Sequence, residues 1–129
     1  MISVGGIPTL VNVLFAGNAA RQGGAIYLES SAPLLTNVAF SGNTAGEEGG
    51  ALYNTASSPT LINVTFSAND AYVGGGIFNA NGSAATLTNA ILWGNTPDQI
   101  GNLDSTCSVI YSAIQGGYAG TGNIASNPQ

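Results

Sequence analysis

One phrase recurs four times along the chain: PTLVNVLFAGN from Pro8, PLLTNVAFSGN from Pro33, PTLINVTFSAN from Pro59 and ATLTNAILWGN from Ala85. Its closing asparagines, Asn18, Asn43, Asn69 and Asn95, fall 25, 26 and 26 residues apart. A period of that length is the mark of a solenoid, in which each repeat is one structural unit stacked on the next. Every repeat holds two apolar runs. The first is the phrase itself; the second follows a glycine pair, as in Gly23-Gly24-Ala25-Ile26-Tyr27, Gly49-Gly50-Ala51-Leu52-Tyr53 and Gly75-Gly76-Ile77-Phe78. The runs are short, rich in β-branched and aromatic residues, and bounded by Gly, Asn, Ser and Pro, which is the chemistry of strands and turns. No stretch long enough for a helix escapes a breaker. The chain therefore reads as all-β: a right-handed parallel β-helix of about five coils with a repeat of 25–26 residues.

Stacking such coils sets equivalent residues about 4.8 Å apart in rows. Four rows read as apolar and inward: Leu10, Leu35, Leu61 and Leu87; Val13, Val38, Val64 and Ala90; Phe15, Phe40, Phe66 and Leu92; and Ile26, Leu52 and Ile77. A single coil has too little core to fold alone, so stability must come from its neighbours. Two further rows are asparagine: Asn12, Asn37, Asn63 and Asn89 within the phrase, and Asn18, Asn43, Asn69 and Asn95 at its end. Asparagine tolerates left-handed backbone angles at a bend, and stacked amides can bond to those above and below. Both rows read as structural ladders, with a row of ligand-binding amides as the alternative. Replacing Asn37 or Asn63 by Leu should then cost about 1–3 kcal/mol.

Composition narrows the function. Only 5% of the 129 residues are charged, and Arg21 alone stands against six carboxylates, with no Lys or His. With no basic patch, nucleic acid and anionic membrane surfaces are poor partners. The lack of histidine removes histidine-dependent nucleophilic triads, and one Cys without His argues against zinc. No metal site and no cofactor is expected. Cys107 has no partner for an intrachain disulfide and reads as a small buried thiol. The first twenty residues are apolar but lack a positive start, and Asn12 interrupts them, so they read as the first repeat and not a signal peptide. No apolar run is long enough for a membrane-spanning helix.

The elements GGAIY at Gly23 and GGALY at Gly49, with FAGN at Phe15, FSGN at Phe40 and FSAN at Phe66, carry a family likeness. In them the chain resembles right-handed parallel β-helix repeat proteins, and in particular the repeat of polymorphic outer-membrane proteins. The C-terminal third, ILWGNTPDQI from Ile91 and SVIYSAIQGGYAGTGNIASNPQ from Ser108, is similar to the end of the β-helix in choice-of-anchor Q proteins. These resemblances imply an extracellular or cell-surface bacterial β-helix without known chemistry. One domain over 1–129 is expected, with repeats near 8–32, 33–58, 59–84 and 85–106 and a terminal coil at 107–129. Met1 falls in mid-coil and neither end reads as capped. The expectation is a fragment of a longer solenoid, associating end to end or covered by a partner.

Candidate sites are few. Glu47, Glu48 and Asp70 occupy equivalent turns, with Arg21 in the turn before, and would form a small carboxylate cluster on one edge. Paired acids could serve polysaccharide hydrolysis at separations of roughly 5–9.5 Å, or bind calcium weakly; the simpler reading is solvated turn charges. Gly116 to Gly122 lacks the Gly-Lys-Ser/Thr ending of a phosphate loop and reads as a terminal turn. Strand alternation sends Tyr27, Tyr53 and Phe78 outward as an aromatic stripe suited to sugar rings or a protein surface, unless the faces are swapped and the rings lie in the core. Thr9, Thr60 and Thr86 align, as do Thr36 and Thr88, in the manner of an ice-binding solenoid, but Leu34, Val11 and Ile62 interrupt the rows. The leading function is a non-catalytic structural or adhesive segment of a bacterial surface or secreted protein. Carbohydrate binding or processing and ice binding are the alternatives.

Overall fold

The computed structural model describes residues 1–128. The chain winds through about five coils, each adding one strand to each of three walls. The first coil holds β1 (Ile2–Val4), β2 (Thr9–Val11), β3 (Leu14–Ala16) and a corner strand β4 (Ala19–Gln22). The second holds β5 (Ile26–Glu29), β6 (Leu34–Thr36), β7 (Ala39–Ser41) and the corner strand β8 (Thr44–Glu48). The third runs β9 (Leu52–Thr55), β10 (Thr60–Ile62) and β11 (Thr65–Ser67); the fourth, β12 (Ile77–Ala80), β13 (Ala84–Thr88) and β14 (Ile91–Trp93). The last comprises β15 (Ile100–Asn102), β16 (Thr106–Ile110) and β17 (Ala113–Ile114). Wall A stacks β1, β5, β9, β12 and β15; wall B stacks β2, β6, β10, β13 and β16; wall C stacks β3, β7, β11, β14 and β17. All pairings are parallel, and β4 pairs with β8 in a small fourth sheet. No helix occurs among the described residues.

The predicted rows stand in register. Leu10, Leu35, Leu61 and Leu87 stack in wall B and continue to Val109. In wall C, Phe15, Phe40, Phe66 and Leu92 form one column that ends on Ile114. The Phe15 and Phe40 rings are stacked at 5.3 Å, and those of Phe40 and Phe66 at 4.4 Å. Ile26, Leu52 and Ile77 close the core from wall A. These side chains form one continuous apolar bore, most of it without contact with water. Its rows join coil to coil, which is how short strands obtain the burial that none could reach alone.

Each corner has its own means of turning. Between walls B and C, Asn12, Asn37, Asn63 and Asn89 take left-handed angles of 55–56°. After wall C the same conformation falls to Gly17, Gly42, Ala68 and Gly94. Between walls A and B it falls to Gly5, Ser30, Ala56, Asn81 and Asp104. The glycine pairs answer a different demand. A Cβ on Gly24 would lie 2.2 Å from the Gly50 carbonyl oxygen, and one on Gly50 would lie 2.2 Å from that of Gly75. The backbone of the next coil passes directly over the second glycine, and no side chain fits between.

At the upper end β16 and β17 still stack in walls B and C, and the chain then leaves the path of the coils below. After β17 the chain turns at Gly116 and Gly117, both with positive φ, and runs back across the bore. The Ile114 amide donates to the Ile124 carbonyl, and that of Ile124 to Ser112. Asn123 accepts from the Ser112 amide at 3.0 Å and donates to Val109 O at 2.8 Å, while Tyr118 packs against the core. A polar, glycine-rich segment covers the last coil because its side chains can satisfy the backbone groups that a stacking strand would otherwise meet.

Candidate functional site

Both predicted asparagine rows are hydrogen-bonded ladders, and they differ in kind. The outer one is exposed: Asn37 donates to Asn12 at 3.1 Å, Asn63 to Asn37 at 3.2 Å and Asn89 to Asn63 at 2.6 Å. The inner one is buried above Asn18. Each Oδ1 there accepts both the backbone amide and the Nδ2 of the asparagine below, at 2.8–3.0 Å. Each Nδ2 of Asn43, Asn69 and Asn95 also donates to a phenylalanine carbonyl one coil down, that of Phe15, Phe40 or Phe66. Gln99 replaces the next asparagine and closes the series, its Oε1 accepting from Asn95 Nδ2 at 2.6 Å.

Two more ladders escaped the sequence reading. At the corner between walls A and B, the amides of Ser31, Ser57 and Ser83 donate to the hydroxyls of Ser57, Ser83 and Ser105 at 3.0–3.1 Å. The serines recur at the repeat period, a signal that was present but masked by other serines. Inside the bore, Asn54 donates to Asn79 at 2.7 Å, Asn79 to Asn102 at 2.8 Å, and Asn102 to the Tyr118 hydroxyl at 3.0 Å. Leu28 holds the same position one coil lower, so this row starts apolar.

Tyr27, Tyr53 and Phe78 stack as neighbours, with ring centres 5.2 and 6.0 Å apart. They point away from the bore and belong to a separate small cluster. They do not form an exposed stripe. Val73, from the corner segment of the third coil, packs against them, leaving Tyr53 7% and Phe78 6% exposed. Tyr27, at the lower end of the column, is half-buried. Burial, followed by the nearby Glu48 carboxylate, raises the Tyr53 pKa; burial and then Glu29 raise that of Tyr27.

The acidic residues are held apart by register. Asp70 pairs with Thr44 and Glu48 with Val73, while Glu47 lies under the Tyr72 and Val73 amides, which donate to its carbonyl. Arg21 Nε bonds Glu47 Oε1 at 2.8 Å in an exposed ion pair, and Gln22 bonds Glu48 at 2.7 Å. Such an ion pair is worth little to stability. Among the described residues no group of three or more His, Cys, Asp or Glu side chains converges to hold a metal ion. The threonine row on wall B is real but mixed: Thr9, Leu34, Thr60, Thr86 and Ser108 share one line, and Val11, Thr36, Ile62, Thr88 and Ile110 the other. Cys107 packs against the core opposite Ala85, and burial, partly offset by a bond with Asn79, pushes its thiol up to about 12.

Residues 12–29 and 37–55 match the Chlamydia polymorphic membrane protein repeat. Each stretch begins at an outer-ladder asparagine, passes through wall C, the inner-ladder asparagine and the glycine pair, and ends in wall A. Two stretches similar to that repeat thus lie in successive coils of the parallel β-solenoid. No curated protein and no solved structure matches the chain.

Proposed function

We propose that this chain is a non-catalytic structural and adhesive segment of a bacterial surface protein. One observation carries the reading: the periodic polar rows bond to their own copies one coil away. The inner asparagines, the corner serines and the bore amides each bond to their counterparts in the neighbouring coil. An active site needs titratable groups that converge on a reacting atom, whereas here the repeated polar chemistry goes into stiffness. The match to a repeat named for membrane proteins supports placement at a bacterial surface.

Beads coated with the chain should adhere to a polysaccharide or protein layer without releasing reducing ends from neutral or acidic polysaccharides. Release of reducing ends that disappears in Glu48→Gln would overturn the reading, as would failure to adhere to either kind of layer.

A further inference from the structure

The fourth coil is pinched at one corner. Between Asp70 and Ile77 the third coil uses six residues to reach wall A; between their register partners Thr96 and Ile100 there are only three, Pro97, Asp98 and Gln99. Among the described residues nothing is stacked above this shortened corner, because after β17 the chain turns inward at Gly116. The column of corner segments therefore ends in a notch of about 380 Å³, lined in part by Asp98, Gln99, Ile100, Gln115, Gly116 and Tyr118. That volume lies within the range of small-molecule sites, roughly 300–1,000 Å³.

The hydrogen-bonding capacity left at the notch is specific. Asp98 is exposed, and Arg21, the chain's only basic side chain, lies three coils lower in the same column of corners, where Glu47 engages it. Gln115 uses its Oε1 to accept from the Gly94 amide at 2.6 Å, which leaves its NH₂ as a donor. The Tyr118 oxygen accepts from Asn102, which leaves its own O–H to donate. Gln99 is tied to Asn95 through both ends of its amide and holds the floor rigid. One acceptor and two donors thus border an apolar floor formed by the half-buried Ile100 and the tyrosine ring.

We infer that this notch binds a neutral sugar of one or two rings. Vicinal hydroxyls both donate and accept, so they can meet the carboxylate and the two donors together, while the C–H face of a pyranose lies on an aromatic and aliphatic floor. Anionic sugars are opposed by Asp98 and by the net charge of −5. The site lies apart from the Tyr27 row and at the upper ends of two ladders, which Gln99 and Tyr118 close, and its ligand is argued from Asp98, Gln115 and Tyr118 without resting on the adhesive reading above.

The test is titration of the ¹⁵N-labelled chain with glucose, galactose, mannose and N-acetylglucosamine, followed by amide NMR. At least one sugar should give saturable shifts at the Gly116 and Gly117 amides and the Gln115 side-chain amide. Asp98→Ala should weaken that binding about tenfold or more without changing the thermal midpoint, because its exposed side chain makes no hydrogen bond or ion pair among the described residues. If the midpoint falls, Asp98→Asn is read in its place, against Glu29→Ala as a control that retains binding. No saturable shift with any of the four sugars, shifts centred on Tyr27, or binding undiminished in the Asp98 variants would overturn the inference.

Discussion

Asn54 carries the only buried side-chain oxygen or nitrogen without a partner among the described residues: its Oδ1 faces down the bore while its Nδ2 donates upward to Asn79. The cause is the change of residue type within one row, since Leu28 fills the position beneath and offers no donor. An orphaned buried acceptor costs about 1–3 kcal/mol. Leu28→Asn would put a donor beneath it, offsetting the roughly 1.5–3 kcal/mol of lost leucine burial. That variant should therefore lie within about 1 kcal/mol of the parent, while Leu35→Asn, in a wholly apolar row, should lose about 3 kcal/mol or more. Urea unfolding of the two variants decides it. Equal losses would show that Asn54 gains nothing from a new neighbour.

Elements in this fold are held by ladders more than by strand length, and the two asparagine series should respond differently to the same change. In Asn69→Leu, the buried amide and Nδ2 of Asn43 lose their acceptor and Phe40 O loses its donor, so the cost should exceed about 3 kcal/mol. In Asn63→Leu the broken bonds are exposed, and the main loss is tolerance of the left-handed angle, about 1–2 kcal/mol. Comparable midpoints in denaturant would refute this ranking. Both series, and the four apolar rows of leucine, valine, phenylalanine and isoleucine positions, were legible in the sequence because equal spacing alone puts like residues in columns. Other features depended on what spacing does not encode. Alternation gave the outward direction of Tyr27, Tyr53 and Phe78, but their cover comes from Val73 on a neighbouring corner. Glu47, Glu48 and Asp70 were matched as turn residues, yet the bridges set Asp70 beside Thr44. The notch and the capping tail lie where the period fails: register offsets shrink to 23 and 22 residues in the last coil, so no earlier repeat could foretell them.

At the scale of the whole molecule, a single cooperative core should make buried ionisable groups felt in the alkaline range. The Cys107 thiol has an ordinary value of 9.0 and sits at about 12 in the fold. Its protonated form is favoured by folding, so its contribution is fully present below pH 9 and is lost as pH rises toward 12. Burial raises Tyr53 and Tyr118 too, so they add to the loss above their usual value of 10.0. Cys107→Ala should remove the part of the decline that begins near pH 9 and leave the tyrosine part, as thermal midpoints across that range would reveal. An unchanged profile would place the thiol in an environment open to water. The second coil has one more property. Its walls present nearly the same groups upward and downward, with offsets of 25 below and 26 above. Duplicating residues 33–58 would thus lengthen the tube by about 4.8 Å while each new bond copied one already made. Evolution could set the reach of such a rod by copying a single cassette, carrying the pinched corner and its tail farther outward with every addition.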